Sequence, residues 1–68
     1  MGRVIRVIYS NGSFDYVKRG PVLLFLINSR KIVGIPAEPL PREMAKWLRL
    51  RYKLIYDPER NMIRFKLK

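Results

Sequence analysis

Cysteine and histidine are missing from this chain, and glutamine and threonine are missing with them. Without cysteine no disulfide can staple the fold, and without either residue the usual zinc ligands are gone. The same absences remove the commonest general base and the strongest side-chain nucleophile. Acids are scarce: Asp15, Glu38, Glu43, Asp57 and Glu59 are the full set, and they sit mostly where turns and helix starts are expected. No glycine-rich phosphate loop of the Walker or dinucleotide type is present. These gaps argue against ordinary side-chain catalysis. The expectation is a protein that is not an enzyme, with no cofactor, no metal site and no small-molecule substrate.

Long apolar runs are missing too. The longest, Val22 to Ile27, falls far short of the roughly 20 residues that a membrane-spanning helix needs. The opening residues lack the charged, apolar and small-residue order of a signal peptide, so the cytoplasm is the expected compartment. At 68 residues the chain should form a single domain, 1–68. A domain of this size buries only about 60% of the surface its unfolded chain exposes, so its stability margin is small. The apolar fraction, 49%, is nevertheless that of a globular chain and too high for a disordered one.

What the chain has in excess is positive charge. Fifteen lysines and arginines face five acids, a net charge of +10. A field of that sign opposes compaction and draws polyanions.

A coarse pass along the sequence gives an α+β domain. Val4 to Tyr9 is rich in β-branched residues and is followed by Asn11-Gly12, the dipeptide best suited to a two-residue type I′ hairpin turn. That loop would place Tyr9 opposite Phe14 and Val7 opposite Tyr16. Ile5, Val7, Tyr9, Phe14 and Tyr16 would then share one buried face, with Arg6 and Asp15 as a diagonal pair on the other. Gly20-Pro21 opens a short helix to about Ser29, and Lys31 to Ile35 reads as a strand. The segment Ile35-Pro36-Ala37-Glu38-Pro39-Leu40-Pro41 separates the two halves of the chain. Pro41 is placed as a first-turn helix proline, with Glu43 in the first turn and Met44, Trp47 and Leu48 as an apolar stripe. That helix should end near Arg51 to Lys53. Tyr52 to Tyr56 and Met62 to Leu67 form a second hairpin, with Tyr56 opposite Ile63 and Leu54 opposite Phe65. All six residues on one face are then apolar or aromatic. The order is ββαβαββ: two hairpins and a short strand, with two helices packed on the sheet.

The run from Val4 through Tyr9, the Asn11-Gly12 turn, Asp15, Val17-Lys18, Leu23, Leu26-Ile27 and Lys31-Ile32 resembles a group of short uncharacterised bacterial proteins. The likeness spans about the first half of the chain and ends after Ile32. It supports the hairpin–helix–strand opening and implies no activity.

The charge has a pattern. Arg42, Lys46, Arg49 and Lys53 recur at spacings of four, three and four, a stripe opposite Met44, Trp47 and Leu48. Like charges at these spacings oppose a helix by about 0.2–0.5 kcal/mol per pair. The macrodipole favours cations near the helix end, which accounts for Arg49, Arg51 and Lys53 but not for Arg42. In the last hairpin Arg64, Lys66 and Lys68 point away from the apolar face by strand alternation. Lys53 lies across from Lys66, so the two stripes could merge into one phosphate-binding surface. Lysines and arginines on an edge strand also guard against aggregation, and the two roles are compatible.

Tyr9, Phe14, Tyr16, Tyr52, Tyr56 and Phe65 could in principle stack nucleobases, but the registers above place all six on faces that need burying. Trp47 reads as the anchor of its helix. The first helix is apolar all round, and Val22, Leu23, Phe25 and Leu26 offer a surface for a second copy or another partner. The leading expectation is therefore a non-catalytic nucleic-acid-binding accessory domain, RNA or DNA undecided. Its contacts would come from Arg42, Lys46, Arg49, Lys53, Arg64, Lys66 and Lys68. A protein-interaction or homodimerisation module through residues 21–29 is the alternative. Attachment to anionic membrane has the least support, because the apolar side of the second helix is narrow and needed by the sheet.

Overall fold

The structure, a computed structural model, describes residues 4–38 and 40–68. Its elements follow the expected order: β1 (Val4–Tyr9), β2 (Phe14–Lys18), α1 (Pro21–Asn28), β3 (Ile32–Pro36), α2 (Arg42–Arg49), β4 (Tyr52–Asp57) and β5 (Met62–Leu67). The strands form one antiparallel sheet in the order β2-β1-β3-β5-β4. Both helices lie on the same side of it. Leu23 and Ile27 of α1, and Met44 and Leu48 of α2, join Ile5, Val7, Val17, Ile32, Ile35 and Tyr52 of the sheet in a single core. The fold is the expected α+β arrangement.

The second hairpin has the register that its apolar pattern requires, with Tyr56 opposite Ile63 and Leu54 opposite Phe65. Asp57 fixes its turn by accepting from the Glu59 amide at 3.0 Å and pairing with the Arg60 guanidinium at 3.2 Å. Burial works against the Asp57 carboxylate, but the hydrogen bonds from Arg60 and Glu59 outweigh it and hold the carboxyl below its ordinary pKa. The apolar face of this hairpin is not fully covered. Tyr52 is buried, while Tyr56 and Leu67 at the two ends are exposed, because eight-residue α2 does not reach across the whole ribbon.

The first hairpin departs from expectation by one residue. The Gly12 amide donates to the Tyr9 carbonyl and the Tyr9 amide to the Ser13 carbonyl, both at 2.9 Å, so the loop holds three residues, Ser10 to Gly12. Gly12 takes the left-handed conformation (φ 88°) that such a loop requires at its last position. Asn11 acts as a side-chain hook, its Oδ1 accepting from the amide and hydroxyl of Ser13. Ile8 therefore faces Phe14, Val7 faces Asp15 and Arg6 faces Tyr16. A slip of one residue turns every side chain of a strand over. Val17 enters the core, while Phe14 (54% exposed) and Tyr16 (64% exposed) stand on the other side of the sheet. The expected Arg6–Asp15 pair is replaced by two contacts on opposite faces. The Tyr9 hydroxyl donates to Asp15 at 2.9 Å, and the Arg6 guanidinium lies 4.1 Å from the Phe14 ring centre.

The helices end as short helices must. Gly20, at φ 153°, provides the turn into Pro21, the first residue of α1. At the other end Arg30 adopts φ 63°, its amide donates to the Ile27 carbonyl, and the Lys31 amide donates to Leu26. This is a Schellman closure with arginine where glycine is usual. Pro41 is the N-cap of α2 and not a first-turn residue; its extended backbone (ψ 141°) admits no helical turn before Arg42. Pro39, within the proline-rich connection, lies outside the described residues.

β3 joins the two halves. It pairs with β1 through Tyr9–Ile32 and Ile8–Gly34, and with β5 through Ile35–Ile63 and Pro36–Met62, with a bulge between the first two pairs.

Candidate nucleic-acid interface

Since both helices cover one side of the sheet, the other side is open, and alternation from the buried residues specifies what stands on it. Inward-facing Ile5, Val7 and Val17 leave Val4, Arg6, Ile8, Phe14, Tyr16 and Lys18 outward in the first hairpin. Inward-facing Tyr52, Leu54, Ile63 and Phe65 leave Lys53, Ile55, Met62, Arg64 and Lys66 outward in the second. Gly34 and Pro36 of β3 lie between the two sets. Met62 is buried, yet outside the main core, with its Sδ over Gly34. The open face thus carries Arg6, Lys18, Lys53, Arg64 and Lys66 around a low apolar middle, with two exposed aromatic rings at the β2 edge. The acid that alternation assigns to this side, Asp57, sits at the hairpin end and is engaged by Arg60.

The cations singled out in the sequence divide between two sides of the molecule. Lys53, Arg64 and Lys66 are neighbours on the open sheet face, with Lys53 directly opposite Lys66 as expected. Lys68 is exposed just beyond β5. Arg42, Lys46 and Arg49 are exposed on the side of α2 turned away from Met44, Ala45 and Leu48, in the helical layer. The two stripes therefore do not merge. The reason is that α2 stops at Arg49, and Lys53 belongs to a strand whose preceding residue, Tyr52, points inward.

Arg6 and Lys18, absent from the expected contact set, and Phe14 and Tyr16, expected on the buried face, belong with the open face. The three-residue loop turns Phe14, Tyr16 and Lys18 outward, whereas Arg6 faces that way with either loop. Of the other aromatics, Phe25 and Tyr56 are exposed on the helical side, while Tyr52, Phe65 and Trp47 are committed to packing. Tyr52 packs edge-on to Phe65 and donates from its hydroxyl to Asn28 Oδ1 at 2.6 Å, and burial raises its pKa. Trp47 packs against the core margin, with the guanidinium groups of Arg51 and Arg19 at 5.0 and 5.8 Å from its ring, so it serves as the anchor of α2.

The surface expected for a second copy is smaller than the sequence suggested. Leu23 is fully buried and Leu26 packs against the core, which leaves Val22 and Phe25 exposed on α1. An all-apolar helix in so small a domain is covered on one side only.

A groove of about 480 Å³ opens where β3 and β5 part beyond the Ile35–Ile63 pair. Ile27, Ile32, Val33 and Phe65 line its floor, and Arg30, Arg64 and Lys66 also border it. Asn28, Tyr52 and Leu67 complete its lining, so it brings Arg30, on the helical side, to the same gap as Arg64 and Lys66. Arg30 occupies a backbone conformation that costs a non-glycine residue about 1 kcal/mol or more. Arg30→Gly should stabilise the fold by about 0.5–1 kcal/mol, a rise in Tm of about 2–8 °C. It should also weaken polyanion binding through the lost charge. Calorimetry and a binding titration on the same variant check both effects, and a lower Tm would contradict the strain argument.

No family model matches the chain, and no curated protein and no solved structure matches it either. Among the described residues no helix is long and apolar enough to cross a membrane.

Proposed function

We propose that this protein is a non-catalytic nucleic-acid-binding domain whose contact surface is the open face of its sheet. The observation that carries this reading is the gathering of Arg6, Lys18, Lys53, Arg64 and Lys66 on the one side of the sheet that no helix covers. Charges placed there add to each other and meet a polymer over a broad front, whereas the stripe on α2 is narrow and curved. Lysine and arginine contacts to phosphate fix register on a nucleic acid without reading its sequence, so the expected binding is strong at low salt and indifferent to sequence.

Counterion release gives the test. If about four phosphates of duplex DNA are neutralised, log K should fall against log salt with a slope of about −3.6. Fluorescence anisotropy with a labelled duplex across a salt series measures it. A slope near zero, or no binding at the lowest salt, would leave the proposal without support.

A further inference from the structure

We infer that the open face is built for single-stranded nucleic acid, with nucleobases stacked on Phe14 and Tyr16 and the sugar–phosphate chain held by Arg6, Arg64, Lys66 and Lys53. This deepens the reading given under Proposed function and rests on it.

Exposed aromatic rings on a small domain need a reason. Phe14 and Tyr16 alternate along β2 on the same face and are more than half exposed. In that strand Val17 suffices to seal the core, so the rings are not needed for packing there. Burying such rings against a partner would be worth far more than leaving them in water. Against double-stranded DNA or RNA they have little to gain, because the base faces are hidden inside the stack. A single strand offers those faces, and base–aromatic stacking contributes about 1–3 kcal/mol per base, largely independent of sequence.

The neighbouring side chains fit the same ligand. Arg6, directly opposite Tyr16, lies over the Phe14 ring at 4.1 Å. Its guanidinium adds a flat cationic surface beside the two rings. Next across the sheet come Ile8, then Gly34 and Pro36 with Met62 lying over Gly34, a middle without charge or height. Arg64 follows one residue along from the Ile35–Ile63 pair, and the cross-strand pair of Lys66 and edge-strand Lys53 lies beyond it. Aromatic rings with Arg6 at one margin, and Arg64, Lys66 and Lys53 at the other, fit a strand that crosses the sheet, stacking bases over β2 and leaving phosphates over β5 and β4. An acidic protein segment would satisfy the cations, but it would not explain two exposed rings on one face, one of them beneath an arginine.

Five strands span about 19 Å at the usual inter-strand spacing. A surface of that width corresponds to the lower end of single-strand site sizes, on the order of four nucleotides.

The test compares two labelled probes at low salt: an oligothymidylate of about a dozen nucleotides, and a blunt duplex of the same length. The wild-type protein should prefer the single strand. Phe14→Ala combined with Tyr16→Ala should weaken single-strand binding by at least about ten-fold while leaving duplex affinity and the salt slope within about two-fold. Phe14→Leu with Tyr16→Leu, which keeps apolar bulk and so protects against loss of the fold, should reproduce the loss, with circular dichroism as the check on folding. Equal affinity for both probes, with neither double variant reducing it, overturns the single-strand assignment and leaves phosphate binding standing. Failure to bind either probe overturns both.

Discussion

Reversing Lys53, Arg64 and Lys66 together to glutamate is expected to lower affinity for any nucleic acid by on the order of 100-fold or more, and to flatten the duplex salt slope from about −3.6 towards about −0.9. Reversing Arg42, Lys46 and Arg49 is expected to change affinity by only a few-fold. The two triple variants are matched in a useful way. Each carries three reversals of two charges apiece, so each takes the net charge from +10 to +4. A response to overall charge would weaken binding equally in both. A response to position would not, because Arg42, Lys46 and Arg49 sit on the helical layer while Lys53, Arg64 and Lys66 sit on the open sheet face. Direct phosphate contacts form only on the face the polymer crosses, and salt screens exposed charges beyond about 8 Å. Equal losses in the two variants, measured by anisotropy at about 0.15 M salt, would move the interface off the sheet face. All six positions are exposed, and surface substitutions of this kind usually leave folding within about 0.5 kcal/mol each.

Why the first-hairpin part of the sheet face was not visible in the sequence comes down to one turn. Asn11-Gly12 fits a two-residue loop, and it fits a three-residue loop with Gly12 last equally well, but the two place β2 with opposite faces inward. The strand does not arbitrate, since Phe14 and Tyr16 are apolar on one parity and Val17 on the other. The signal that could have decided it is Ser13 directly after the glycine, where the Asn11 side chain can hook the amide and hydroxyl of the residue that closes the loop. The second hairpin carried no such ambiguity. Loops of two or four residues give it the same register, and its two strands are apolar on one parity over most of their length. The helix stripe at Arg42, Lys46 and Arg49 was legible from spacing alone. Its relation to Lys53 was not, because where α2 ends decides whether Lys53 obeys the helical period or the strand period.

The largest single-residue effect on stability is expected at Gly34. A Cβ there would lie 2.7 Å from the Ile63 carbonyl oxygen and 3.0 Å from Met62 Sδ. The methionine can move, but the carbonyl is part of β5, next to the Ile35–Ile63 pair that holds the two hairpins together. Alanine would gain about 0.5–1 kcal/mol from a stiffer unfolded chain and lose more to the displaced strand, a net cost of about 2 kcal/mol. That is a large share of the roughly 3–10 kcal/mol a domain of this size has in total. It should lower Tm by about 8–16 °C. Gly12→Ala is the informative comparison. Nothing lies within 4 Å of a Cβ at Gly12, so only its φ of +88° is at stake and the cost should stay near 1 kcal/mol. A Gly34→Ala protein as stable as the parent would mean that β3 and β5 can separate without loss. The sheet would then be a three-stranded β2-β1-β3 unit and a β4–β5 hairpin under a shared helical layer, with no single face for a polymer to cross.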